Sequence, residues 1–552
     1  MTLRLAAPAA PASSRATAGV ALFLAAALAL PPAPAAAVAQ SLPAGTAVST
    51  PATAPLAQRI DAIVSRPEFR HGIFGIEFYD LDSGKPVYSR NGDTFFVPGS
   101  TTKLLTMGTA LELLGADYRF HTRIYRTGPV SSNGTLTGDL VLVASGDANL
   151  SGRIQPDGTL AFENEDHTYD GSPDTRAVPG DPLLVIRELA AQVRAHGITK
   201  IRGRVLVDAT LFPEGERELG TGVVISPIVV NDNLVDVTIA PGHAPGDSVS
   251  MHVSPATSYV RFINHATTGS ADSTPRIRWS SDVAGPDGSH TVTVTGHMPA
   301  GKPAILFSYA VPSPSRFAQV TLVEALRAKG VTASLPAPAD KPDFTALAAS
   351  YTDANAVAEH VSAPLSEDVK VTLKVSQNLH ASVMPYVLGA ILGHKGTAQA
   401  GFDQERGFLE KAGLDLSGAS QADGAGGSAH FTPDFMVHFL AYMAARPDFP
   451  KYFAALPVLG RDGTLWNIDV ASPAAGKVHA KTGTYGQEDL LNRSMMVDGK
   501  GLAGYLTTVD GRKLAFAIYA NNVPVSLAPD AITAVVGQAL GEIAAAAYDA
   551  QP

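Results

Sequence analysis

Two stretches of helical texture in this chain are held apart by 272 residues that do not share it, those between Lys103 and Ser376. On the near side, Leu104, Met107, Leu111 and Leu114 recur at three- and four-residue spacing, which predicts a helix closed by Gly115. On the far side, a helix through Val369 and Leu373 is expected to break at Ser376-Gln377-Asn378 and restart over 379–392. A helix-to-loop connection needs far fewer residues, so further domains must be inserted here. The gap is strand-prone: 136–143, 201–207, 235–239, 259–263, 292–294 and 304–309 alternate with turns, and helical patterns occur mainly at 182–195 and 315–329. Residues 152–180 are polar and rich in Asp, Gly and Pro, which predicts an exposed excursion.

Outside the gap, strands are expected at 72–79 and from Val87-Tyr88, then at 477–481, 504–509 and 514–520, with helices at 432–445 and 529–547. An antiparallel sheet with helices from both chain ends packed on it gives an α+β fold. The expected division is a signal peptide over 1–39, a flexible leader over 40–56, and a helix-and-sheet domain over 57–118 and 348–552. One mainly β domain, 119–215 with 300–347, is inserted in it, and a second, 216–299, is nested in the first.

Arg4 and Arg15 are the only charges before an apolar run over 18–30 that only Gly19 interrupts. That run is too short for a bilayer, which needs about 20 residues. Pro31 and Pro32 follow, then Ala37-Val38-Ala39, a pattern that describes a secretory signal cleaved near Ala39 and no transmembrane anchor. The protein is therefore expected in the periplasm or cell envelope. It has no cysteine, which excludes disulfides and thiol chemistry, so an exported chain must rely on large cores; 552 residues allow them. A net charge of −10 gives nucleic acid no electrostatic support. The 15 histidines show no metal-site spacing and no phosphate-cradling loop is present, so no metal or cofactor is expected.

Three short motifs punctuate this framework: Ser100-Thr101-Thr102-Lys103, Ser376-Gln377-Asn378 and Lys481-Thr482-Gly483. Singly each has an ordinary meaning: a helix cap, a turn (Ser131-Ser132-Asn133 repeats the second pattern), a strand end. In this order, each in a fitting context, they describe nucleophilic catalysis. Ser100 falls in the first turn of a helix, with Lys103 on the same face. A serine hydroxyl needs a base, and Lys103 can serve only when neutral, which calls for burial and a second cation such as Lys481. Ser376 can relay a proton to a leaving amine, and Asn378 can bind a carbonyl and fix Lys103. Lys481 and Thr482 suit a carboxylate, and Gly483 lets a peptide lie against the strand. The N–H groups of Ser100 and Thr484 form a natural oxyanion pair.

Together these motifs resemble those of the class C low-molecular-mass penicillin-binding proteins, the D-alanyl-D-alanine carboxypeptidase/endopeptidase family of penicillin-binding protein 4 type. Tyr79-Asp80-Leu81-Asp82-Ser83-Gly84, Val97-Pro98-Gly99-Ser100, Ser145-Gly146-Asp147, Val230-Asn231-Asp232-Asn233-Leu234-Val235, Asp462-Gly463-Thr464-Leu465 and Leu502-Ala503-Gly504-Tyr505 are similar to family segments, so the likeness covers most of the mature chain. The resemblance implies a penicilloyl-serine-transferase fold with two inserted domains, peptidoglycan stem peptides as substrate and β-lactams as covalent inhibitors. It carries the catalytic role to Ser100, Lys103, Ser376, Asn378 and Lys481, and substrate binding to Thr482, Gly483 and Thr484.

The chain departs from the family at Ser382, where an acidic residue is usual, and at Asp423-Gly424-Ala425-Gly426-Gly427-Ser428. It also has a longer connection over 484–501, bordering the expected cleft. A serine β-lactamase is the nearest alternative; Glu488-Asp489-Leu490-Leu491-Asn492 has the pattern of its deacylation box but follows Lys481 instead of preceding it. A non-enzymatic cell-wall binding protein on the same fold is the other.

Overall fold

The computed structural model describes residues 54–338, 342–528 and 530–550. The expected signal peptide, all but the end of the leader, and Pro529 lie outside the described residues. Both ends of the chain build one antiparallel sheet, in the order Val478–Asp489, Ser494–Thr507, Lys513–Asn521, Ile73–Asp80, Lys85–Arg90. Register sets Ile76 opposite Ile518 and Phe78 opposite Phe516. Successive strand residues point to opposite faces, so these four form one core with helices Leu56–Val64 and Gln538–Tyr548. Ala517, Tyr519 and Tyr505 face the other way, into a core with helices Thr102–Leu114 and Pro433–Ala444.

Helix Thr102–Leu114 departs from the single inner stripe its leucines predict: every residue from Thr102 to Leu111 is buried. Some of its small polar residues find partners, as where Thr106 Oγ1 donates to the Gly424 carbonyl at 2.9 Å, while Thr109 Oγ1 is buried without one. A helix enclosed on all sides is a rigid base for the serine at its start. The extended connection after Gly483 is a hairpin. Pairing continues from Lys481 opposite Ala503, through Thr484 opposite Lys500, to Asp489 opposite Ser494. At its tip Leu490 and Leu491 are 79% and 90% exposed, and Asp489 Oδ1 accepts from the Leu491 and Asn492 N–H groups. The stretch from Glu488 to Asn492 is thus turn chemistry.

A second sheet runs Ala356–Val361, His121–Arg126, Leu140–Val143, Val205–Asp208. Its last pair is parallel, which requires the crossover that helix Leu184–Ala195 supplies. Two smaller sheets follow, one of Leu234–Ala240, Ser250–Ser254 and Ile305–Ala310, the other of Val260–Asn264, Thr267–Gly269, Arg276–Ala284 and His290–Pro299. Residues 152–180 correct the expectation of an exposed excursion. They contain no named helix or strand, yet Arg153 and His167 are 0% exposed and Asp166 is 1% exposed. Ion pairs with sequence-distant partners make that burial possible. Among the described residues, no helix is long and apolar enough to cross a membrane.

Glu405, on helix Ala398–Lys411, is a stability liability. It is 4% exposed, Oε1 has no hydrogen-bond partner, and burial pushes the carboxyl up to about 8. A carboxyl raised in the folded state takes up a proton on folding, so stability falls as pH climbs from the unfolded value of ~4.3 towards about 8. Glu405→Met is expected to stabilise the protein, by on the order of 3 kcal/mol at pH 7 and far less near pH 4.5. Thermal midpoints across that range check it; a gain independent of pH would contradict the cause.

Candidate active site

Ser100 is the middle residue of a short 3-10 turn, Gly99–Thr101, that leads into helix Thr102–Leu114. Three residues on, Lys103 Nζ lies 2.6 Å from Ser100 Oγ. The same ammonium donates to Asn378 Oδ1 at 2.6 Å, to Ser376 Oγ at 3.4 Å and to the Ala425 carbonyl at 3.3 Å. Lys481 donates to Ser376 Oγ at 2.8 Å from the opposite side. The five residues expected to be catalytic therefore form one continuous hydrogen-bonded chain, with Ser376 between two lysines.

Backbone geometry makes the convergence possible. Helix Leu365–Lys374 ends before Ser376, and helix Asn378–Ile391 starts after it. Ser376 itself sits at φ 64°, a conformation that disfavours a residue with a Cβ and costs about 1–3 kcal/mol. Strand Val478–Asp489 runs so close to the serine turn that a Cβ on Gly483 would fall 2.0 Å from the Pro98 carbonyl oxygen. Gly99, at φ 51°, meets the same strand from the other side, its own Cβ position 2.5 Å from Thr484 N. Glycine at both positions brings the Ser100 and Thr484 backbones together.

Lys103 and Lys481 are both 0% exposed. Burial pulls the Lys103 ammonium down to about 7, against the opposing pull of Glu218 and Asp423. Burial, then Lys103, then Lys500 hold Lys481 well below the usual lysine range. Burial rather than Lys481 is thus the main lever on Lys103. Thr482 Oγ1 donates to Thr464 Oγ1 at 2.7 Å, and Thr484 Oγ1 accepts from Lys500 Nζ at 2.6 Å.

Several groups around this chain were not evident from the motifs. Tyr169, from the inserted segment, donates its hydroxyl to the Ser376 carbonyl at 2.6 Å. Asp423 Oδ1 accepts from the N–H groups of Ala425, Gly426 and Gly427 at 2.8, 2.6 and 3.2 Å, which shapes the loop whose Ala425 carbonyl meets Lys103. The unusual Asp423–Ser428 segment was a visible clue; the polar composition around Tyr169 gave none.

Behind the Ser376 loop lies a buried ionic network. Arg153 donates to Asp166 and Asp232, each at 2.6 Å. Asp232 also meets Nε2 of His167 at 2.9 Å and of His380 at 3.1 Å, and accepts from Gln377 Nε2 at 3.2 Å. His167 Nδ1 is 2.8 Å from Asp236, and His380 Nδ1 is 2.8 Å from Asp368. Burial disfavours the His380 cation, but Asp368 and Asp232 outweigh it and raise its pKa to about 9. Asp166, His167 and Asp232 have ligand atoms close enough for a metal ion. The Arg153 guanidinium already supplies the positive charge there, so the donor set does not fit one. Arg153→Met is expected to cost about 3–5 kcal/mol, because it removes the buried guanidinium that donates to both Asp166 and Asp232. Denaturant unfolding checks this; a loss below 1 kcal/mol would mean the network is not needed.

Fold and site together fit a serine peptidase, with a buried lysine beside the serine hydroxyl. Residues 56–540 match the D-Ala-D-Ala carboxypeptidase 3 (S13) family, and the chain belongs to that family of serine peptidases. It is 29% identical over 512 residues to a D-alanyl-D-alanine carboxypeptidase of Actinomadura sp. (strain R39), covering 89% of this chain and 85% of the relative. It is 25% identical over 460 residues to the D-alanyl-D-alanine carboxypeptidase DacB of Haemophilus influenzae, covering 80% and 84%. The crystal structure of penicillin binding protein 4 from Haemophilus influenzae shares the fold, with a TM-score of 0.68 at 21% identity, covering 89% of this chain and 99% of that one.

Proposed function

We propose that Ser100 is the nucleophile of a D-alanyl-D-alanine carboxypeptidase and/or endopeptidase acting on peptidoglycan stem peptides. The observation that carries this reading is Lys103 Nζ, 2.6 Å from both Ser100 Oγ and Asn378 Oδ1 in a wholly buried setting. Neutral Lys103 takes the Ser100 proton as Oγ attacks the carbonyl of the penultimate D-alanine. The Ser100 and Thr484 N–H groups stabilise the oxyanion. Collapse expels the amine, which takes a proton passed from Lys103 through Ser376. Water, activated by the same lysine, then hydrolyses the acyl-serine and restores Ser100. Thr482, Gly483 and Thr484 line the path of the substrate backbone, with Lys481 as cation.

A β-lactam offers Ser100 the same carbonyl, so penicillins are expected to acylate it. A Haemophilus influenzae relative of this fold has been solved in complex with a novel beta-lactam. The pattern over 1–39 supports export to the periplasm or envelope with removal of that segment. The domain division proposed is 57–118 with 348–552 for catalysis, 119–215 with 300–347 inserted, and 216–299 nested. Strand Ala356–Val361, which pairs with His121–Arg126, is a tie from the second catalytic segment to the inserted sheet.

The test is incubation with a pentapeptide ending in D-Ala-D-Ala and with cross-linked muropeptides, read by chromatography. Release of D-alanine, or cleavage of cross-links, is the expected result. Neither product, from a folded protein, would contradict the reading.

A further inference from the structure

Lys500 belongs to none of the three motifs, yet it is buried as Lys103 and Lys481 are. It sits on strand Ser494–Thr507, directly opposite Thr484 in the register. Its side chain is enclosed, with the residue 7% exposed. Its Nζ donates to Thr484 Oγ1 at 2.6 Å, while Thr484 itself is exposed. Among the described residues no carboxylate forms an ion pair with Lys500 or with Lys481, whose polar partners are a serine hydroxyl and a backbone carbonyl.

That arrangement is unusual in physical terms. Buried ammonium groups are nearly always paired with an anion, because desolvation is otherwise uncompensated. Here two such groups stand near enough that Lys500 disfavours the charge on Lys481. An anion arriving at the Thr484 end of the strand would relieve both. The Thr484 hydroxyl accepts from Lys500 and so keeps its own proton to donate, on a residue that is itself exposed. Thr482 carries a second hydroxyl two residues along the same strand, whose proton must turn from Thr464 Oγ1 to meet an anion.

We propose that Lys500 is a substrate-binding residue that, with Thr482 and Thr484, recognises the free terminal carboxylate of the peptide and so selects acceptable chain ends. This deepens the reading under Proposed function and rests on it. A lysine one strand behind the motif would make the carboxylate site doubly cationic, and the hairpin over 484–499 is what carries Lys500 into register.

The experiment measures binding in a Ser100→Ala background, so that affinity is read without turnover. The probes are an N-acylated peptide ending in D-Ala-D-Ala as free acid, and the same peptide as its C-terminal amide. The free acid is expected to bind more tightly. Lys500→Met should weaken it by about tenfold to a hundredfold and leave the amide within about twofold, the scale of one charge-assisted hydrogen bond. Lys500→Gln, measured beside it, should behave likewise, and thermal unfolding confirms that each variant folds. Equal weakening of acid and amide, unchanged affinity for the acid, or no preference for the acid at the outset would each overturn the proposal. Turnover of the same peptide by the protein with Ser100 intact tests the peptidase reading separately.

Discussion

Ser100→Ala is expected to lower turnover of D-Ala-D-Ala peptides about a millionfold, the scale on which serine enzymes lose activity when the nucleophile goes. The size follows from the chemistry. The remaining groups can still bind and polarise the carbonyl, but the hydroxyl 2.6 Å from Lys103 Nζ, beside the oxyanion N–H groups, is gone. The substitution should leave the fold almost untouched. The cap positions of the 3-10 turn and of the helix that follows are Pro98 and Thr101, and the hydrogen bond found for the serine hydroxyl is to Lys103. Circular dichroism and a thermal midpoint within a few degrees of the unaltered protein would confirm that chemistry, not folding, is lost. Retention of more than a hundredth of the rate would exclude Ser100 as nucleophile.

Lys103→Met is expected to slow acylation by about 10²–10⁴-fold, the usual contribution of a positioned general base. Methionine fills similar space and removes a wholly buried ammonium, so stability should hold or rise. Loss of rate without loss of stability separates a catalytic lysine from a structural one. The pH dependence has a defined sign. Lys103 works as a base only when neutral, and its pKa is depressed to about 7. The neutral fraction therefore grows from about a tenth at pH 6 to about nine-tenths at pH 8. Acylation by the unaltered protein should climb through that window, and the climb should vanish in Lys103→Met. A profile already flat between pH 6 and 8 would contradict the assignment.

Much of this site is legible in the sequence because local spacing encodes it. Ser100 and Lys103 meet across one helical turn, and Ser376-Gln377-Asn378 marks the break between two helices. Gly483 marks the place where a strand must approach another backbone closely. The motifs also lie on the elements expected of them, from the turn at Gly99–Thr101 to strand Val478–Asp489. What the sequence conceals is pairing at long range. Residues 152–180 look like exposed chain because aspartates and glycines fill them, yet Arg153 and His167 are buried against Asp232 and Asp236. Each charge looks fit only for water until its partner, some 70 to 80 positions away, is known. Tyr169 is hidden by the same stretch. Lys500 is hidden differently: its place beside Thr484 depends on hairpin register, which composition does not fix. The helix after Ser100 reads as half-exposed because its threonines are polar, whereas Thr102, Thr106 and Thr109 are buried.

The central claim is that a single serine, Ser100, becomes covalently acylated. Its most direct test is intact mass after incubation with a penicillin, followed by peptide mapping. One penicilloyl adduct per chain, located on the peptide that carries Ser100 and absent from Ser100→Ala, is the predicted result. No adduct on the folded protein, or one that persists undiminished in Ser100→Ala, would contradict it.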